Sequence, residues 1–153
     1  MSPRTARLAP AVVLALLAST GLATPAQAQS EWAEQVRFQL DLVKTFAESV
    51  GWQQTHDYRI ESLRDDESDY YTADMRDGWE YRIVAFCDED CSDIDLYLED
   101  ENGNELDSDV STNDVPIIEC RPAWNGEFRI RVRMYECSVE PCWFGVGVFG
   151  RRR

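Results

Sequence analysis

Phe128, Ile130, Val132 and Met134 alternate strictly with Glu127, Arg129, Arg131 and Arg133. A period of two puts the apolar side chains on one side of an extended chain and the guanidinium groups on the other. No helix can do that, so this segment is a strand with one buried and one wet face. Ile94, Leu96 and Leu98 repeat the pattern against Asp93, Asp95, Tyr97 and Glu99. Turn signals at Asp77-Gly78, Asn102-Gly103-Asn104 and Asn125-Gly126 break the chain between such runs. Expected strands are Tyr58–Leu63, Tyr70–Ala73, Trp79–Cys87, Asp93–Glu99, Glu105–Val110, Val115–Cys120, Glu127–Tyr135 and Trp143–Phe149. The acidic segment Asp65–Asp69 reads as a solvated loop. No long helix follows any strand to make a parallel crossover. The expected fold is therefore mainly β, an antiparallel β-sandwich of about eight strands.

Ahead of the strands the period becomes helical. Trp32, Val36, Leu40, Val43, Ala47 and Val50 recur at spacings of three and four, predicting a helix over Ser30–Val50. Ser30 is placed to cap its first turn, Glu31 and Glu34 to meet the positive end of its dipole, and Gly51 to stop it. Phe38, Leu42 and Phe46 widen the apolar surface. Such a helix either packs on the following domain or self-associates through Trp32, Val36, Leu40 and Val43. Upstream, Arg4 and Arg7 precede the apolar run Leu8–Ala18 and the small residues Pro25-Ala26-Gln27-Ala28. That order predicts an export signal cut after Ala28, the run being well short of the ~20 residues of a membrane span. The expected organisation is a signal over 1–28, the helix within 29–51 and the sandwich over 52–153. Export implies a periplasmic or secreted protein.

The formal charge is −14, and removing Met1–Ala28 takes away two arginines and no acid, leaving −16. So negative a chain is repelled by nucleic acid. Hydrophobic residues at 44% are enough for a packed core, which excludes a disordered acidic tail. Five cysteines cannot all pair within one chain. In an oxidising compartment, Cys87–Cys91 and Cys137–Cys142 are the expected bridges, since each pair flanks a short loop at a strand end. Cys120 is left as a buried thiol, with a mixed-disulfide dimer as the alternative. Zinc is disfavoured, because His56 is the only imidazole.

No nucleophile–base pattern stands out, and His56 is alone, so no catalytic residue is assigned. Calcium is the candidate ligand. Asp88, Asp90, Asp93 and Asp95 crowd one loop and strand start, and Asp107, Asp109 and Asp114 another. Carboxylate oxygens in loops are what this cation takes. The run from Asp100 is no EF-hand: glycine falls at its fourth position and Ser111 at its twelfth. Arg129, Arg131 and Arg133 are expected to pair with Asp93, Asp95 or Glu99 on a neighbouring strand. Trp79, Trp124 and Trp143 would make a sugar-stacking platform if they clustered on the surface.

Three motifs in order carry a resemblance: Gly78-Trp79-Glu80-Tyr81, then Asp93-Ile-Asp-Leu-Tyr-Leu-Glu-Asp100-Glu-Asn-Gly103, then Gly126-Glu-Phe-Arg-Ile-Arg-Val132. Over roughly Tyr58–Phe149 the chain resembles the bacterial pre-peptidase C-terminal domain. The resemblance implies a jelly-roll-like sandwich that accompanies secreted enzymes and binds polymers such as collagen or polysaccharide, in some cases with calcium. Asp93 and Asp95 are the positions it marks for a metal or for bracing a loop. The expected function is a non-catalytic exported binding or accessory module for an envelope or extracellular polymer or protein. No cofactor is required, and calcium is admitted as a stabiliser. The alternatives are a small carboxylate-dependent hydrolase and a structural subunit assembling through the helix.

Overall fold

The computed structural model describes residues 25–153, with side chains from Glu31 onward. Most of the expected signal segment lies outside the described residues. Helix α1 runs Pro25–Ser49. It starts upstream of Ser30, which is therefore interior and not a cap, and Glu31 and Glu34 are not in the first turn. The C-terminus follows the expectation. Gly51 has φ +83°, Trp52 N donates to Ala47 O at 2.9 Å, and Gly51 N donates to Glu48 O at 3.2 Å. This closed turn satisfies the last carbonyls and drops Trp52 against Ala47.

Nine strands follow: β1 Gln53–Gln54, β2 Arg59–Leu63, β3 Ser68–Met75, β4 Trp79–Cys87, β5 Cys91–Glu99, β6 Glu105–Asp109, β7 Ile117–Cys120, β8 Gly126–Cys137 and β9 Cys142–Arg152. All the expected strands are present, and β1 is additional. Ser68 and Asp69, expected in a loop, open β3 because they pair with Arg133 and Val132 of β8. Pairing is antiparallel throughout. One sheet has the order β1-β9-β4-β7, with β2 also on β9, and the other the order β3-β8-β5-β6. Their facing sides bury Ile83, Phe144, Val146 and Val148 against Ile94, Leu96, Leu98, Phe128, Ile130, Val132 and Met134. The chain is thus a β-sandwich, and the alternation read from β8 and β5 sets its inner face.

The helix makes a third layer. Val36 and Leu40 are fully buried, and Leu40, Ala47 and Trp52 meet Val84 and Phe149 on the outer side of the β9 sheet. Two glycines of β9 receive the helix. A methyl group on Gly145 would overlap Val36 Cγ1 and lie 2.9 Å from Leu40 Cδ1, and one on Gly147 would lie 3.2 Å from Leu40 Cδ2. Val36, Leu40 and, partly buried, Val43 of the face expected to pack or self-associate are therefore turned to the chain's own sheet. Phe38, Leu42, Phe46 and Val50 point to solvent instead. Among the described residues, no helix is long and apolar enough to cross a membrane.

Cys87–Cys91 and Cys137–Cys142 are bridged, each with Cα atoms 5.9 Å apart, and Cys120 is a thiol. Cys91 pairs in register with Cys137, so the two bridges stand side by side at one end of the sandwich. Disulfides of this kind fit a non-cytoplasmic protein.

Candidate functional site

The opposite end of the sandwich is concave. After Gly51, the string Trp52-Gln-Gln-Thr-His56 lies along the end of β9: Gln53 pairs with Gly150, Gln54 with Phe149, and Thr55 N donates to Val148 O at 3.0 Å. Across from it, Met75 turns into the core and so turns Asp74 and Arg76 outward at the end of β3. Gly78, with φ +81°, makes the turn into β4, where Tyr81 Oη accepts from Arg76 N at 3.1 Å. Gln53, Gln54, Thr55, His56, Asp74, Arg76, Trp79 and Tyr81 together line a depression of about 480 Å³. Trp79 and Tyr81 are stacked with centroids 6.0 Å apart. Trp79 and Gln53 also line a second depression of about 420 Å³ with Arg151 and Arg152. The indole is thus a wall shared by two hollows.

Polar groups in the larger hollow are available to a ligand. Among the described residues, neither Asp74 nor Arg76 has an ion-pair partner. Burial lowers the pKa of the His56 imidazole, against the pull of the Asp74 carbonyl and of the Asp74 and Asp57 charges. His56 is accordingly neutral at pH 7. Its Nδ1 lies 2.9 Å from Thr55 Oγ1, and that hydroxyl donates to Val148 O at 3.2 Å. Asp74 lines this hollow, and Glu48 and Asp57 line an adjoining one of about 530 Å³ that shares Gln53, Gln54, Thr55 and His56 with it.

The residues proposed for calcium are dispersed. Asp88 is buried and accepts from Trp143 N at 2.6 Å and Asp90 N at 3.2 Å, so it ties its loop to β9. Asp109 accepts from Ile117 N at 2.9 Å and Ser111 N at 3.2 Å, which hold its pKa low although burial opposes them. Asp93 and Asp95 are both buried on β5. Tyr97 Oη donates to Asp95 Oδ2, while Asp93 Oδ1 has no partner. Burial raises the Asp93 pKa, with the Asp95 and Glu136 charges acting the same way. Among the described residues, no group of three or more His, Cys, Asp or Glu is placed to hold a metal. Asp88, Asp90, Asp93, Asp95 and Asp109 therefore do not form one site. Short polar side chains next to turns bind nearby backbone N–H groups first.

The arginine stripe lies on the outer face of β8. Glu99, 5% exposed, accepts from Arg129 Nε at 2.6 Å and Arg131 Nε at 3.0 Å. Its pKa is held down by these partners although burial opposes them. Arg133 reaches Asp66 at 2.7 Å. The expected pairing thus holds for Glu99, and Asp66 takes the place expected of Asp93 and Asp95. The tryptophans do not form one platform: Trp79 pairs with Arg152 at one end of β9 and Trp143 with Ser62 at the other, while Trp124 stacks on Phe128. His56, read as isolated in the sequence, is joined by Asp74, Arg76 and Trp79 through strand pairing.

No family model matches the chain, and no curated protein matches it in sequence.

Proposed function

We propose that the chain is a non-catalytic, exported binding module, and that it takes a strand of a hydroxyl-rich polymer, a polysaccharide, across the Trp79 wall. The observation that carries this reading is the indole between two open hollows, ringed by Gln53, Gln54, His56, Asp74 and Arg76. An aromatic ring takes the C–H face of a sugar, while planar amide, carboxylate and guanidinium groups take pairs of hydroxyls. A ligand crossing the wall touches both hollows, which favours a chain of sugars over a single ring. Export rests on the order Arg4, Arg7, Leu8–Ala18 and Pro25–Ala28, and the two bridges agree with it.

The test is tryptophan fluorescence of the chain titrated with soluble oligosaccharides bearing neutral, amino and acidic sugars, read beside Trp79→Ala and Trp124→Ala. Saturable binding that Trp79→Ala removes and Trp124→Ala keeps is the expected result. Binding indifferent to Trp79, or none across the panel, refutes the reading. Release of new reducing ends would replace it with the hydrolase.

A further inference from the structure

Most cations of this chain already have an acidic partner. Among the described residues, every arginine forms an ion pair except Arg37, Arg76 and Arg152, and Lys44 is also without one. With 29 acids against 15 bases, each cation has carboxylates to choose from, so a cation left single is the exception. For the acids the reverse holds. At such an excess most carboxylates have to stay unpaired, and Asp74 in the hollow or Glu127 opposite it on β8 carries no signal by being so.

Two of the unpaired cations flank Trp79. Arg76 lines the larger hollow, and Arg152 lines the smaller one with its guanidinium carbon 5.7 Å from the centre of the Trp79 ring. The charged walls of the smaller hollow are Arg151 and Arg152, with no carboxylate among its lining residues, on a molecule of charge −14. Arg151 is engaged by Glu80 at 2.9 Å, whereas Arg152 is not engaged. The acids that follow Arg76 in the chain are themselves matched, Asp77 by Arg153 and Glu80 by Arg121 and Arg151. Across the Gln53–His56 string the balance is opposite, because Lys44 there faces both Glu48 and Asp57. An anionic group is therefore matched on the Trp79 side and opposed on the other. A guanidinium takes a carboxylate through two parallel N–H···O bonds. The net charge still repels a densely charged polymer such as a nucleic acid. A sugar chain with one carboxylate per ring sets its charges a whole ring apart and offers C–H faces to the indole. Within a Debye length of about 8 Å the nearby arginines outweigh the distant acids.

We propose, on the polysaccharide reading of the Trp79 wall, that the sugar chain is acidic, its uronate carboxylates held by Arg152 in the smaller hollow and by Arg76 in the larger. The fluorescence titration is run with three probes: a short galacturonic acid oligomer, its methyl ester, in which the same rings carry no charge, and a glucosamine oligomer. The acid is expected to bind roughly tenfold or more tighter than the ester, and added salt to narrow the gap. Arg152→Gln and Arg76→Gln each weaken binding of the acid by about 3- to 10-fold and leave the ester unchanged. Arg37→Gln, which removes the remaining unpaired arginine, leaves both unchanged. All three arginines are exposed, and circular dichroism confirms that each variant is folded. An ester bound as tightly as the acid, or an acid indifferent to Arg152→Gln, overturns the acidic class while the Trp79 reading stands. A glucosamine oligomer bound most tightly overturns it too, and gives the hollow to a cationic sugar held by Asp74. No binding of any of the three overturns this proposal and the Trp79 reading together.

Discussion

Replacing Gly145 by alanine tests whether the helix is an integral layer of the fold. The added methyl would overlap Val36 Cγ1, lie 2.9 Å from Leu40 Cδ1 and lie 3.4 Å from Ile60 Cγ1. Val36 and Leu40 are fully buried, so neither side chain has solvent to turn into, and the helix has to lift or rotate. Overpacking of this kind costs about 1–3 kcal/mol. The lost flexibility of the unfolded chain returns about 0.4–1 kcal/mol. A net destabilisation of about 1–2 kcal/mol remains, or roughly 2–8 °C in Tm for a domain of this size. Urea unfolding of Gly145→Ala, Val36→Ala and the double variant isolates the contact as a double-mutant cycle. With Val36 Cγ1 removed, the Gly145 methyl has room, so Gly145→Ala costs less in the Val36→Ala background than in the wild type. Equal costs in both backgrounds, or a Gly145→Ala protein more stable than wild type, would refute the claim that β9 is glycine-rich in order to seat α1.

Two further predictions concern titration. His56 has a folded pKa below its unfolded value, so the unfolded chain binds the extra proton first, and stability is lost as pH falls from about 6.5 toward the lowered folded value. Urea unfolding over that range should show the loss in wild type and a smaller one in His56→Gln; parallel curves would place His56 in solvent. Asp93 has a raised folded pKa, so its ionised form works against the fold at neutral pH and the strain is relieved as pH falls through that value. Asp93→Asn should raise Tm at pH 7 and lose its advantage in acid. Adding calcium should then leave both proteins unchanged; a rise confined to wild type would instead place a cation on Asp93 Oδ1.

Strand periods were legible in the sequence because each records a local decision. Once β8 buries Phe128, Ile130, Val132 and Met134, the arginines between them have to face water, and a carboxylate of β5 stands within reach. The bridges were legible for the same reason, each closing a loop between neighbouring positions. The hollow was not, since His56, Asp74 and Trp79 meet only when β1 lies on the end of β9 and β3 turns into β4. A trace of it was there, in the polar string Gln53-Gln54-Thr55-His56 set between a helix stop and a strand. The aspartates are ambiguous for a physical reason: carboxylates near turns satisfy backbone N–H groups as readily as a cation, and sequence does not tell the two uses apart. The helix face was ambiguous because both sides of α1 are apolar. What decided between them was the pair Gly145 and Gly147, whose missing side chains make room on one side of β9 for Val36 and Leu40.

The helix layer also positions the candidate hollow. Its Gly51 stop sends the chain back over the end of β9, and that return is what supplies Gln53 to His56 to the hollow. Its inward face spends Val36 and Leu40 on the sheet, which leaves Phe38, Leu42 and Phe46 outward. Seating the helix therefore fixes the hollow's near rim and the direction of the outward helix face in one step.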